Sequence, residues 1–443
     1  MVYGQRGGGA GVVTLAGGRA PGHGKANYKE MKKNTRLALT AGFAVALGCG
    51  MAFGAGYGIN EGSARGNAMG TEVTADPVSP SIMYNNVAGL TELPGTQVEV
   101  GATFIKPRQT VTTDTPQGKV HTHGNSEWWT LPTAYVSQQI NDRWWLGAGL
   151  FTRVGLGSEF PENWPGRYSN LKAQITSMDV NPSVAFKVTD TFSLGLGLRV
   201  EYFDFTLMRA VPTGTPFVDP DAKLKITGDN YGLGFNAGAY WKPAERLAFG
   251  AAYESEIVHE INGDYRVTMN GQSLQDGTAY GDFPSPAIFR LGTSIGLTEK
   301  WKLNLGMNYV FWSCYDALTI HFDPALLGKR NETTGEKRWH DTFRWQAGTE
   351  YKVADHWALR FGYVYDKTPD PDYLVDYMVP ANNRHLFNFG VGWDNGTFFA
   401  DAGYTYVLIE DRTVSGHIAD GVWDGKFQDG DAHMVGVSAG YRF

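Results

Sequence analysis

The residues of this sequence that could do chemistry are few, and their spacing argues against most of it. His121 and His123 stand two apart in a Gly- and Thr-rich hairpin, and His433 lies far along the chain. Zinc needs three or four ligands brought together, so these read as loop histidines and no metal is expected. Asp366, Asp370, Asp372 and Asp376 have the composition of a calcium loop without the Gly and terminal Glu spacing of an EF-hand, and a solvated loop is expected. Ser313, at the end of an apolar strand, is a nucleophile with no identified His base, and an unpartnered serine is not activated. No strand-to-helix Gly-x-Ser-x-Gly elbow and no phosphate-cradling Walker loop is read in the chain. Cys49 and Cys314 are the only cysteines, too few for a disulfide framework or a cysteine-built zinc site. Arg199, Arg290, Arg344, Arg360 and Arg442, with Glu201 and Glu350, alternate with apolar residues along strand-like segments. Buried charges are normally paired, so these are expected to brace a wall. No catalytic or metal-binding constellation is read from these residues, and no cofactor is expected.

Composition narrows the elements that could hold such residues. Of 443 residues 57 are glycine, close to twice the usual share of about 7%. Aromatics make up 13%, and 38 basic against 45 acidic residues give a net charge of −7. That excludes a basic nucleic-acid binder and a disordered chain. One apolar stretch, Leu37 to Gly56, approaches the ~20 residues of a membrane-spanning helix, which excludes a multi-helix membrane protein. It follows Met31-Lys32-Lys33-Asn34-Thr35-Arg36 and ends in Ala52-Phe53-Gly54, so residues 31–54 read as a secretory signal peptide cut before Ala55. A lipoprotein signal using Cys49 is disfavoured because Ala46-Leu47-Gly48-Cys49 lacks Leu at the expected place. Residues 1–30 are Gly-rich and aperiodic; they are expected to be a non-native or low-complexity extension, with translation starting at Met31.

Beyond that point the pattern is a strand's, apolar one way and small or polar the other, down to the last residue. Val435, Val437, Ala439, Tyr441 and Phe443 alternate with Gly436, Ser438, Gly440 and Arg442; Phe192 to Tyr202 and Trp301 to Phe311 behave alike. The apolar faces begin or end in Trp, Tyr or Phe, as an aromatic girdle at two membrane interfaces requires, and the opposite faces mix Gly with charge, as a lumen allows. The competing fold is a secreted β-sandwich or propeller. Strands are expected at 97–107, 128–138, 143–153, 174–188, 191–209, 223–242, 246–260, 285–297, 300–313, 339–353, 355–367, 382–394, 396–409 and 431–443, fourteen in all. Bacterial barrels have an even number. Thr298-Glu299 and Asp394-Asn395-Gly396 read as periplasmic turns, and 154–173, 261–284, 314–338 and 410–430 as extracellular loops. Residues 55–96 show no sustained alternation; they either hang in the periplasm or fold into the lumen.

Several strings resemble one family. Ala55-Gly56-Tyr57-Gly58-Ile59-Asn60-Glu61, Trp164-Pro165-Gly166-Arg167-Tyr168, Asn181-Pro182-Ser183-Val184-Ala185-Phe186, Trp312-Ser313, Leu359-Arg360-Phe361-Gly362-Tyr363-Val364-Tyr365-Asp366-Lys367-Thr368-Pro369 and the terminal Phe443 occur in order. Together they are similar to the FadL/TodX outer-membrane transporters of long-chain fatty acids and hydrocarbons. The resemblance implies an all-β, 14-stranded antiparallel transmembrane β-barrel (97–443) with an N-terminal hatch (55–96) in its lumen. It also implies a monomer, multi-pass in the bacterial outer membrane, amid lipopolysaccharide and lipid, with Phe443 read by the barrel-assembly machinery. Hydrophobic cargo would pass from loops to an inner pocket and leave sideways at a kink of the third strand, placed near Gly155 and Gly157. The hatch motif of the family, Asn-Pro-Ala, is Asn86-Val87-Ala88 here, and losing Pro frees a φ angle. Of the family's basic pair for a carboxylate, Arg209 matches one member and Thr319 replaces the Lys, so a charge-assisted bond is lost. Candidate ligand contacts on this basis are Arg209, Asn86, Thr152, Thr319 and Tyr57. The function implied is passive uptake of fatty acids or of aliphatic or aromatic hydrocarbons. The alternatives are a porin for polar solutes and, further off, an outer-membrane lipase.

Overall fold

Period-two alternation becomes ribbon where one face can be enclosed and the other can meet lipid. The computed structural model describes residues 55–443, so the signal peptide, the extension before it and Cys49 lie outside the described residues. Fourteen strands form among the described residues. They are β1 (Thr96–Thr115), β2 (Trp129–Gln139), β3 (Trp144–Phe151 and Gly155–Glu159), β4 (Lys172–Thr189), β5 (Phe192–Pro212), β6 (Asp221–Ala244) and β7 (Leu247–Glu254 and Ile257–Met269). Then come β8 (Gln272–Ser285 and Ile288–Gly296), β9 (Trp301–Val310 and Ala317–Leu326), β10 (Arg330–Glu336 and Thr342–Ala354), β11 (Trp357–Asp366), β12 (Arg384–Asp394), β13 (Phe398–Ile409) and β14 (Gly425–Arg442). Two short extra strands, Gly118–His123 and Arg412–Val414, lie against β1 and β14. Neighbours in the chain pair antiparallel. β1 takes β2 on one side and β14 on the other, Gln97 opposite Arg442 and Phe104 opposite Val435, so the sheet closes into a barrel.

The outer surface is the oily one. On β5, Leu194, Leu196 and Leu198 are each about half exposed while Arg199 and Glu201 are buried. Trp144, Trp241, Trp301, Trp357 and Phe398 stand exposed at the short-turn end, and Tyr231, Phe343, Trp345 and Tyr404 toward the other. An apolar band between aromatic girdles is what a bilayer requires.

Two of the expected loops are ribbon instead. Residues 261–284 complete a β7–β8 hairpin that turns at Asn270-Gly271, and 314–338 hold a β9–β10 hairpin turning at Leu327-Gly328. Asn270 and Gly271 have positive φ, as a tight two-residue hairpin demands, and so do Leu327 and Gly328 in the three-residue turn 327–329. The alternation was invisible because these hairpins rise past the girdle, where the outer face becomes polar. Residues 154–173 are mostly irregular, as expected, apart from Gly155–Glu159 and the start of β4, whereas 410–430 hold the short strand Arg412–Val414, a 3₁₀ turn Ile418–Asp420 and the start of β14.

Residues 55–95 lie along the inner face of this wall. The segment contains a short helix α1 (Ala64–Ala68), capped by Ser63, and two 3₁₀ turns, Pro80–Tyr84 and Val87–Glu92. Glycine decides where it rests: one Gly from β3 and one from each of β5 through β14 presents bare backbone to it. A Cβ at Gly195 would collide with Val87 and Ala88, at Gly250 with Thr74, at Gly292 or Gly306 with Glu72, and at Gly348 or Gly362 with Met69 and Gly70. The segment therefore fills the space that these lumen glycines leave. Ion pairs complete the fit: Arg65–Asp76 at 2.6 Å, Arg65–Glu350 at 3.3 Å and Lys302–Asp76 at 2.6 Å.

Candidate functional site

On β4 through β9 the inner face changes character above the segment. On β5 the inward residues run Arg199, Glu201, then Phe203, Phe205, Leu207 and Arg209. With Leu224 and Ile226 of β6, Ile261, Tyr265 and Val267 of β7, Phe283 of β8 and Leu318, Ile320 and Phe322 of β9 they form one apolar cluster. A cavity opens among Phe205, Ile226, Ile261, Ala279, Phe283 and Leu318. At the base of the cluster sits the fully buried ring of Tyr57, 4.8 Å from Phe283, 4.7 Å from Trp312 and 5.5 Å from Trp339. Its hydroxyl donates to the Pro284 carbonyl at 2.7 Å. Gly56 (φ +80°) lets the chain pass beneath Trp312, where any side chain would strike the indole.

Below the cluster the charges pair, as expected. Arg199 meets Asp179 and Glu254, each at 2.9 Å, and Arg290 meets Glu254 at 3.0 Å. Arg344 meets Asp366 at 2.9 Å, Arg360 meets Glu350 at 2.7 Å, and Arg442 meets Asp394 at 2.8 Å.

One flank of the wall is incomplete. β3 pairs with β2 only from Trp145 to Leu150, and its upper piece pairs with β4 alone, so Trp129–Thr133 have β1 as their only ladder partner. The resulting window is bounded above by the Asn125 amide donating to the Glu159 carbonyl at 2.8 Å. At the break the chain turns inward and pairs with the amino-terminal segment: Ile59 N donates to Arg153 O at 2.8 Å, and Gly155 N to Tyr57 O at 2.9 Å. Arg153 also donates to the Tyr84 carbonyl and pairs with Glu254 at 3.2 Å. Tyr57 faces the large cluster, while Ile59 belongs to a second one with Trp129 and Leu131, beside the window.

Over the loop end lies a third cluster, which includes Phe160, Trp164, Val375, Tyr377, Val422 and Phe427. The stretch 367–383 that supplies Tyr377 is no solvated acidic loop. Asp366 bridges Arg344 and Arg384, Asp376 pairs with Lys337, and Arg412 bonds Asp372 at 2.9 Å and Asp370 at 3.4 Å. Burial pushes the Asp370 carboxyl up to about 7 against the pull of Arg412.

The residues singled out from sequence are not one constellation. Arg209 points inward above Leu207, with the Thr333 hydroxyl at 3.5 Å and no carboxylate at ion-pair distance among the described residues. Thr319 faces the opposite way from buried Leu318 and Ile320, its hydroxyl 3.0 Å from Thr334, so it is not brought to Arg209. Asn86 is spent as a peg: its side chain caps Ala88 N at 3.1 Å and donates to the Thr74 and Ala239 carbonyls at 3.0 and 2.9 Å. Val87 and Ala88 press on Gly195. Thr152 donates to Ser177 O at 3.1 Å. The break of β3 falls at Thr152–Val154, and Gly155 and Gly157 lie in the regular upper piece without positive φ. Val154 N donates to the Ser177 hydroxyl at 3.2 Å and that hydroxyl donates to Val154 O at 2.8 Å, which holds the distortion, so no glycine is needed there. His121 and His123 bond Thr112 and Thr110 at 2.8 and 3.0 Å, while His433 bonds Tyr404 at 2.7 Å. The string Gly-x-Ser-x-Gly does occur, at Gly292–Gly296 and Gly436–Gly440, but within β8 and β14, where no elbow forms. Phe283, Tyr315, Trp339 and the stretch after Asp366 were missed. The detectable signal was on β5, where the odd positions turn from Arg and Glu to Phe, Phe and Leu past Tyr202.

A family model described as outer membrane protein transport protein (OMPP1/FadL/TodX) matches residues 45–443. The chain belongs to this family. It is therefore a transport protein rather than an enzyme, multi-pass in the bacterial outer membrane. Among FadL/TodX relatives, the long-chain fatty acid transport protein of Salmonella typhi is 24% identical, covering 92% of this chain and 98% of its own. The 47 kDa outer membrane protein of Pasteurella multocida is 26% identical, covering 93% and 99%. Two solved structures share the FadL/TodX fold. A Pseudomonas aeruginosa FadL homologue has a TM-score of 0.77 at 22% identity, covering 88% of this chain and all of its own. The Pseudomonas putida toluene transporter TodX has a TM-score of 0.68 at 18% identity, covering 88% and 99%.

Proposed function

We propose that this protein takes up hydrophobic molecules passively, with residues 55–95 as the hatch that stops the lumen and the window between β2 and β3 as the exit. The observation that carries the reading is the order of environments: an oily upper lumen, a sealed charged lower lumen, and a lateral gap between them. Cargo that hides about 300 Å² of apolar surface in the upper lumen gains about 7 kcal/mol. Release calls for Tyr57–Ile59 to part from the kink, joining the cluster of Tyr57 to that of Ile59 and the window. A polar-solute porin would need an open, charged constriction. The protein works as a monomer among lipid and lipopolysaccharide; exposed Phe443, on the lower rim, is the handle for the assembly machinery.

Arg209, without an ionic partner, favours a carboxylate on the cargo, while Thr319 supplies no second cation, so neutral hydrocarbons remain within range. The test is binding of fatty acids, alkanes and alkylbenzenes to purified protein in detergent. Arg209→Ala should weaken fatty-acid binding about tenfold, the worth of one charged hydrogen bond, and leave alkylbenzene affinity unchanged. Equal loss of both removes Arg209 from the role. Steady ion conductance with no binding by any of the panel would restore the porin.

A further inference from the structure

Residues 371–382 pass from the outer cluster around Tyr377 into the inner one around Tyr57: the first part of this strap buries Val375 and Tyr377 in the outer cluster, the second part Val379 and Ala381 in the inner. This strap contains no strand. Side chains of surrounding elements hold its backbone instead. Asn170 donates to the Tyr377 carbonyl at 2.8 Å, Ser158 to that of Met378 at 2.8 Å, His417 to that of Val375 at 3.0 Å and Arg412 to that of Ala381 at 2.9 Å. Asp376 caps Met378 N at 2.9 Å while its other oxygen takes the buried Lys337. Trp164 meets the Tyr377 ring edge-on at 4.7 Å, and the Tyr377 hydroxyl donates to Trp423 O at 3.2 Å. Trp423 in turn touches Phe217, exposed to solvent, at 5.3 Å. Aromatic residues thus line the approach from exposed Phe217 through Trp423, whose carbonyl meets the Tyr377 hydroxyl, to the rings of Tyr377, Trp164 and Phe160.

We propose that the strap 371–382, with Tyr377 at its centre and Lys337–Asp376 as its latch, is a gate between the outer aromatic cluster and the inner pocket. A segment tied by side chains can lift while every barrel ladder stays intact, which is how low-cost local opening arises. The gate deepens the transport reading and rests on it.

Stopped-flow fluorescence with cis-parinaric acid, a carboxylate probe, and N-phenyl-1-naphthylamine, a neutral one, tests it on the full protein in detergent. A gate residue sets the barrier without touching bound probe. Tyr377→Ala should therefore raise association and dissociation rates together by about tenfold for both probes, with Kd within about twofold. Lys337→Met, which removes the latch cation but keeps its bulk, should do the same by about threefold; heat-modifiable gel mobility verifies folding of each variant. Unchanged rates in both variants, or a weaker Kd produced by dissociation alone, would overturn the gate. Failure of the unaltered protein to bind either probe counts against the transport reading itself.

Discussion

The lower and upper halves of the lumen are built from the same strands and solve opposite problems. Below, glycine thins the wall so that backbone meets backbone, and ion pairs such as Arg360–Asp401 at 2.5 Å cross from strand to strand. Above, the same inward faces carry Phe203, Phe205 and Leu207, with few polar partners. The lower half has directional contacts that fix one arrangement; the upper half has non-directional ones that tolerate many shapes of guest. Tightness and permissiveness coexist because β4 through β9 exchange polar for apolar inner residues along their length.

The comparison breaks most visibly if the lower half loses its fit. Removing residues 55–96 should turn a closed barrel into one permeable to large antibiotics. Gly348→Val, whose side chain would enter Met69, should do so partially, with a stability loss of about 3 kcal/mol or more. Unchanged antibiotic sensitivity in the deletion would deny the segment its sealing role. In the upper half, Trp312→Ala should weaken every hydrophobic ligand by about 2 kcal/mol, roughly thirtyfold, whatever its charge; calorimetry with an alkylbenzene and a fatty acid measures it. The smallest effect concerns pH. Asp370, near Arg412, Asp372, Asp376 and Lys337, holds its proton up to about 7 when folded against about 3.9 unfolded. The folded state then binds the extra proton between those values, so its contribution to stability falls as pH rises through 7. Hydrogen exchange in residues 368–382, corrected for intrinsic rates, should slow a few-fold from pH 8 to 6, and Asp370→Asn should abolish the change.

Alternation made the fourteen strands readable because lipid on one side imposes a strict period. The hairpin tips at Asn270 and Leu327 escaped that rule once both faces left the bilayer, although Asn270-Gly271 is itself a turn signal. The aperiodic stretch from Ala55 was recognisable as something other than a strand, but its position was not, since the glycines that receive it are scattered over eleven strands. Arg209 was reached through the family resemblance. The aromatic box of Tyr57, Phe283, Trp312 and Trp339 unites four distant stretches of chain, and local pattern carries no record of such meetings. Thr152 and Asn86 were marked as ligand contacts, whereas in the fold their side chains bond the backbone around them.

The glycine seats also constrain how the molecule can be made. Met69, Glu72, Thr74 and Ala88 each rest on a different part of the circumference, so residues 55–95 have no single docking face. Every seat needs both partners, so segment and wall are expected to take shape together. Grafting this leader onto a relative's barrel should fail wherever one seat bears a side chain.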